Sequence, residues 1–236
     1  MHVDVQDLEK SYGPEFSLSV PELRIEEGAT FGLVGNNGAG KTTLLRLLLD
    51  LIEADDGRAE MDGRRVDEST EWKTSTASYL DESFLIDFLT PDEYFDFVGS
   101  TYEMNRKAVR GALAPFRSFF TDEVLGQSAR YVRDLSMGNR KKVGLVAALF
   151  LRPSLLILDE PFANLDPRSQ IQLKRMLRQL NEEQDTTMLI SSHDLLHVTD
   201  VCRRIAILEN GHIARDEETS EATLDSLETY FSSEAA

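Results

Sequence analysis

The chain has 236 residues, enough for one sizeable core or for a core with a smaller satellite. A hydrophobic content of 41% and a charged content of 28% are those of a soluble globular protein, and no apolar run approaches the roughly 18 residues of a membrane-spanning helix. Forty-two acidic against 25 basic residues leave a formal charge of −17, which argues against a nucleic-acid partner, since binding phosphate backbones depends on clustered Lys and Arg.

The N-terminal "MHVDVQDLEK" lacks a basic and apolar leader, so no signal peptide is expected. With the single cysteine, Cys202, an internal disulfide is excluded and a cytoplasmic setting is expected.

"HVDVQDL" and "FSLSVPELRI" alternate polar and apolar residues, the pattern of an antiparallel lead-in sheet. "TFGLVG" is short and apolar and runs through a glycine loop into "KTTLLRLLLDLI", a strand–loop–helix opening of a parallel α/β unit. "RAEMDGRRV" reads as a hairpin turning at Asp62-Gly63. From about residue 83 to 134 the pattern is helical, with no convincing strand. Thr90-Pro91-Asp92-Glu93 forms a capping box there. Six aromatic residues gather in this region: Phe84, Phe88, Tyr94, Phe95, Phe97 and Tyr102. They are either the core of a helical insert or a docking surface. A helix is expected over about 137–151. Strand patterns resume with "SLLILDEP", "TTMLISSH" and "RIAILENGHI", separated by helices. Asp166-Pro167 caps the first of these, with Leu173, Met176, Leu177 and Leu180 as its apolar stripe. The tail "SSEAA" is expected to fray.

The "GNNGAGKT" loop, Gly35, Asn36, Asn37, Gly38, Ala39, Gly40, Lys41 and Thr42, followed by Thr43, has phosphate-loop spacing. Its glycines let main-chain N–H groups wrap phosphate oxygens at the positive end of the following helix. Lys41 supplies a point charge for the β and γ phosphates, and Thr42 a hydroxyl for Mg²⁺. That ion prefers hard oxygen ligands, and Asp159, emerging from the buried strand "LLIL", is placed to give it a carboxylate. Glu160 then faces an attacking water as general base. His193 closes a neighbouring strand pattern, where it can reach the γ-phosphate.

A second anion-friendly helix opening lies at "LSMGN". Ser136 can cap the helix, and Gly138 leaves main-chain N–H groups uncovered. By itself this is as readily an ordinary capped helix. Its place between a helical insert and the Asp-Glu strand changes that reading.

In this order of parts the chain resembles the nucleotide-binding subunit of ATP-binding cassette (ABC) transporters over essentially its whole length. The resemblance implies the ABC ATPase fold: an α/β P-loop NTPase core with an antiparallel β lead-in subdomain and an inserted α-helical subdomain. The core would take residues of about 1–82 and 152–215, the helical part about 83–151, and a tail about 216–236. It implies ATP and Mg²⁺ as cofactors, with hydrolysis by Lys41, Glu160 and His193. Ser136, Met137, Gly138 and Asn139 stand at the family signature, usually Leu-Ser-Gly-Gly-Gln, which closes over a nucleotide held by another subunit. Tyr12 matches the adenine-stacking aromatic, Asp166 the loop that communicates between subunits, and Glu82 a glutamine that contacts metal and water. Met137, Asn139 and Glu82 depart from the family pattern. The implied partners are a second nucleotide-binding subunit and an integral membrane transporter subunit, with the chain peripheral on the cytoplasmic face of the cell membrane. "SYLDESFLIDFLTPDEYFDF" resembles the export branch. A soluble ABC-type ATPase acting on a cytosolic assembly complex remains the alternative.

Overall fold

The computed structural model describes residues 1–120, 124–126, 130–220 and 223. Strands β1 (Val3–Ser11), β2 (Ser17–Ile25), β4 (Asp56–Met61) and β5 (Arg64–Arg65) form an antiparallel sheet in the order β2-β1-β4-β5. Its apolar face follows the period of two: Val3, Val5, Leu18, Val20, Leu23 and Ile25 are buried. Asp62 and Gly63 take positive φ values of 50° and 73°, the two-residue turn expected of Asp-Gly.

The second sheet contains β3 (Thr30–Val34), β6 (Thr76–Tyr79), β7 (Leu155–Leu158), β8 (Thr187–Ser192), β9 (Arg204–Glu209) and β10 (His212–Glu218). Their order is β10-β9-β3-β8-β7-β6, with only β10 antiparallel to its neighbour. The helices are α1 (Lys41–Leu48), α2 (Pro91–Thr101), α3 (Arg106–Leu113), α4 (Met137–Leu149), α5 (Pro167–Gln184) and α6 (Leu195–Val201).

β7 shows how the layers are built. Leu155 and Ile157 pack into a core shared with α1 and the antiparallel sheet, while Leu156 and Leu158 pack into a second core beneath α4, α5 and α6. A strand covered on both faces reads as a continuous apolar run, which is why "LLIL" carries no alternation. Because β3, β7 and β8 are parallel neighbours, the loops leaving their C-terminal ends share one edge of the sheet.

Three points of the chain order differ from the sequence reading. β6 is a strand not anticipated from "TASY", four residues at the sheet edge with Ser78 exposed and too short to show a period. "RIAILENGHI" is a hairpin rather than one strand: Asn210 and Gly211 turn the chain with φ of 47° and 81°, and β10 runs on to Glu218. α1 also stops earlier than its apolar run, with Asp50 in the left-handed region at φ 54°. No strand occurs between residues 83 and 134 among the described residues. The tail 232–236 lies outside them.

The capping devices take the expected form. Thr90 Oγ1 accepts from Glu93 N at 3.3 Å, and Thr90 N donates to Glu93 Oε2 at 2.9 Å. Asp166 caps α5 by accepting from Ser169 N at 3.0 Å and Ser169 Oγ at 2.5 Å, and these bonds hold its carboxyl down at about 2. Leu173, Leu177 and Leu180 of the α5 stripe are buried, and Met176 partly so.

The aromatic cluster divides between its two readings. Phe95 is fully buried, edge-on to Phe120 at 6.1 Å and Phe150 at 5.8 Å between ring centroids, and Tyr94 is buried beside it. Tyr102 donates to Thr76 O at 2.7 Å, whereas Phe84, Phe88 and Phe97 are exposed.

α4 lies against β6 at Gly144, where an added Cβ would come within 2.5 Å of the Tyr79 ring. Gly144→Ala is therefore expected to lower stability by about 1–3 kcal/mol through overpacking. Denaturant unfolding checks this, and an unchanged midpoint would contradict so close an approach.

Candidate functional site

The loop from Gly35 to Gly40 leaves β3 and opens α1. Gly38 and Gly40 have φ of 86° and 109°, left-handed values that glycine adopts freely and that turn successive N–H groups toward one concavity. A cavity of about 250 Å³ forms there, lined by residues 36–43, Phe16, Asp159 and Glu160. Lys41 is buried, and its Nζ donates to Gly35 O at 2.6 Å and Asn36 O at 3.3 Å. Its ammonium is thus held inside the loop by carbonyls, ready beside the concavity.

Asp159, one residue beyond β7, is only 5% exposed. Thr42 Oγ1 donates to its Oδ2 at 2.5 Å, and Ser191 Oγ donates to its Oδ1. The hydroxyl and carboxylate form a hard-oxygen pair of the kind Mg²⁺ takes together with waters and phosphate oxygens. Among the described residues no three His, Cys, Asp or Glu side chains gather into a protein-only metal cage.

Glu160 has φ of 47°. Its Oε1 lies 3.3 Å from Lys41 Nζ, and its Oε2 lies 2.8 Å from His193 Nδ1. Lys41, Glu160 and His193 therefore form one continuous chain of charge and hydrogen bonding along the edge of β3, β7 and β8. The sequence placed all three at loop or strand ends; their direct contact is what the structure adds.

The remaining candidates divide. Glu82 sits in a short 3-10 turn capped by Asp81, whose Oδ1 accepts from Ser83 N at 2.7 Å. It is not among the residues lining the phosphate cavity. It faces Tyr79, whose phenol is pushed upward by burial first and then by its bonding to and the charge of Glu82. Tyr12 is 51% exposed, 6.3 Å from the Phe16 ring, and Phe16 is the aromatic on the cavity wall. Ser136 caps α4 by accepting from Asn139 N at 3.3 Å. Met137 beside it is 53% exposed, and none of residues 136–139 lines the cavity of its own chain. A Cβ at Gly138 would meet only Asn164 O, at an ordinary 3.4 Å.

Three participants escaped the sequence reading: Ser191, Lys141 and Phe16. Ser191 binds Asp159 and also accepts from Glu160 N at 3.0 Å. Its signal was a hydroxyl directly after the apolar "MLI" run, two residues before His193. Lys141 donates from Nζ to Glu160 O at 2.7 Å. Burial lowers its affinity for the proton, against the pull of Glu82, Glu160 and Asp159. A lysine pair opening an apolar helix was its signal.

Comparison with known proteins agrees with this geometry. Residues 18–163 match the ABC transporter family. An uncharacterized ABC transporter ATP-binding protein of Synechocystis sp. is 34% identical over 199 residues, covering 84% of this chain and 55% of that protein. The sulfate/thiosulfate import ATP-binding protein CysA of Bacillus cereus is 30% identical over 218 residues, covering 90% of this chain and 60% of that protein. The chain thus spans somewhat over half the length of these relatives. The solved structure of an ATP-binding subunit of an ABC transporter superposes with a TM-score of 0.83 at 26% identity, over 98% of this chain and 94% of the other. The matched segment takes in the phosphate loop, the Ser136 turn and the Asp159–Glu160 strand end, and the chain belongs to the ABC transporter family.

Proposed function

We propose that this chain binds ATP and hydrolyses it to ADP and phosphate as one half of a pair, each nucleotide lying between the phosphate loop of one chain and the Ser136 turn of the other. One observation carries the reading. The phosphate cavity is lined by Phe16, residues 36–43, Asp159 and Glu160, while residues 136–139, which open α4, are not among its lining. The glycine at 138 meets no steric demand inside its own chain, which fits a surface shaped for something outside it.

Within one site the residues divide the work by their chemistry. Main-chain N–H groups of the loop, with Lys41, meet the charge of the β and γ phosphates. Thr42 and Asp159 would hold Mg²⁺, which supplies electrostatic stabilisation of phosphate charge when bound. Glu160 orients a water and takes its proton as the water oxygen bonds to the γ-phosphorus; the bond to the bridging oxygen breaks, and ADP leaves with that electron pair. His193, bonded to Glu160 Oε2, fixes the direction of the carboxylate and would reach the γ-phosphate. Phe16, with Tyr12 beside it, offers the aromatic surface for adenine. Ser136 and Gly138 add donors from the opposite chain, so binding favours the closed pair and loss of phosphate releases it.

We further propose that a membrane subunit receives this motion. A second cavity, of about 370 Å³, lies between β6, α2 and α4, away from the phosphate loop. Phe84, Tyr94 and Tyr102 line it beside Tyr79, next to the turn that carries Glu82. An apolar groove with an exposed Phe84 at its rim suits an apolar segment of a transporter subunit better than a polar assembly scaffold. Such a subunit would place the chain at the cytoplasmic membrane face. No helix among the described residues is long and apolar enough to cross a membrane. The export direction expected from the sequence gains nothing from the relatives, one of which is named for import, so transport is proposed without a direction.

Glu160→Gln should leave ATP affinity within about threefold, cut turnover by about 100-fold or more, and trap an ATP-dependent dimer visible by size-exclusion chromatography. Turnover at the wild-type rate would refute the base assignment.

Ser136→Arg should abolish hydrolysis while the isolated chain still binds ATP normally, because the lost contact serves the other chain. Mixed with Lys41→Ala, it should regain activity from one composite site per mixed pair. Recovery of full wild-type activity, or none at all, would contradict the head-to-tail pairing.

A further inference from the structure

α4 starts at the exposed Ser136 turn and runs directly into the interior. Its fifth and sixth residues, Lys141 and Lys142, are 4% and 7% exposed. Buried ammonium groups are costly unless paired, and neighbouring positions on a helix point about 100° apart, so each must find its own partner. Lys141 Nζ donates to Glu160 O at 2.7 Å and lies 5.6 Å from the centroid of the Tyr79 ring. Lys142 Nζ lies 3.6 Å from Asp166 Oδ2 and 5.2 Å from the Phe119 ring. Glu160 and Asp166 are the second and the last residue of the segment 159–166 that joins β7 to α5, so the two lysines hold that segment near its start and at its end.

The hold matters most at Glu160. Its φ of 47° is a left-handed conformation that a glutamate rarely adopts, so neighbouring groups must enforce it. Ser191 Oγ accepts from its N–H at 3.0 Å, and Lys141 holds its carbonyl. With both peptide groups pinned, the carboxylate is directed toward Lys41 and His193. A neutral donor could satisfy the carbonyl equally well. An ammonium does more here, because Glu82, Asp159 and Glu160 crowd three carboxylates around it.

We propose that Lys141 is a positioning residue for hydrolysis: it clamps the main chain of Glu160 and so ties each chain's catalytic carboxylate to its own α4, whose Ser136 end serves the partner's nucleotide. The inference rests on the reading of Glu160 as base and of the Ser136 turn as acting in trans. α4 then links the two sites of the pair mechanically. A shift of the helix on contact with one nucleotide is felt at the carboxylate serving the other.

The test uses the full chain in steady-state hydrolysis of Mg·ATP. Lys141→Met should lower kcat by about 10- to 100-fold while the KM for ATP stays within about threefold, as displacement of a reacting group does. Lys141→Arg, which keeps charge and donors, should retain at least about a third of the wild-type kcat. Placed in a Glu160→Gln background, Lys141→Met should change the residual rate by less than about twofold, because the group it positions is already gone. A wild-type kcat for Lys141→Met, a loss confined to KM, an arginine variant as poor as the methionine one, or an equal loss in the Glu160→Gln background would each overturn the proposal. Glu160→Gln turning over at the wild-type rate would instead remove the base reading, and the inference with it. An inert Glu160→Gln beside an unimpaired Lys141→Met would remove the lysine's role alone.

Discussion

A buried carboxylate at the edge of the parallel sheet is the constraint on which the rest depends. Asp159 leaves β7 at a depth where an unpaired charge would be strongly unfavourable. Two hydroxyls meet it: Thr42 from the start of α1 and Ser191 from the end of β8. Those bonds tie three elements that are distant in sequence, so the phosphate loop, Asp159 and Glu160 keep a common frame. Ser191 serves twice, since its oxygen also accepts from the Glu160 N–H. The aim of Glu160 is thereby referred to the same point as the position of Asp159.

From that frame the architecture runs outward through α4. At one end Ser136 satisfies the first turn and leaves Met137 exposed; further in, Lys141 and Lys142 reach Glu160 and Asp166 of the β7–α5 segment. Gly144 then brings the helix against Tyr79, beside the groove proposed for a membrane subunit. A single thirteen-residue helix therefore borders the turn proposed to meet a second chain, the segment that carries Glu160 and the apolar groove. Rigid elements with packed contacts at several places are suited to carry such coupling, because they move as units.

Much of this was legible in the residues. The phosphate loop was readable because wrapping a polyphosphate demands glycines and a lysine at fixed spacing, and β7 because a strand buried on both faces must be continuously apolar. Thr90, Ser136 and Asp166 announced helix starts by local capping chemistry. What could not be read depends on partners far along the chain. β6 is four edge residues whose identity as a strand comes from pairing with β7. Ser191 and Lys141 look like incidental polar residues until the sheet and α4 bring them to Asp159 and Glu160. Tyr12 had the aromatic character expected of an adenine neighbour, but the loop geometry puts Phe16 on the cavity wall. The aromatic run at 84–102 mixed two roles that only burial separates: Phe95 builds the core, and Phe84 and Phe88 face outward.

The central claim is that one nucleotide is enclosed by two chains, and the dependence of hydrolysis on protein concentration addresses it most directly. At saturating Mg·ATP, serial dilution below the dimer's dissociation constant should make the rate fall as the square of protein concentration, in step with loss of the dimer in sedimentation. A rate strictly proportional to concentration at every dilution, from a species that sediments as a monomer, would contradict the account and leave the Ser136 turn as an ordinary helix cap.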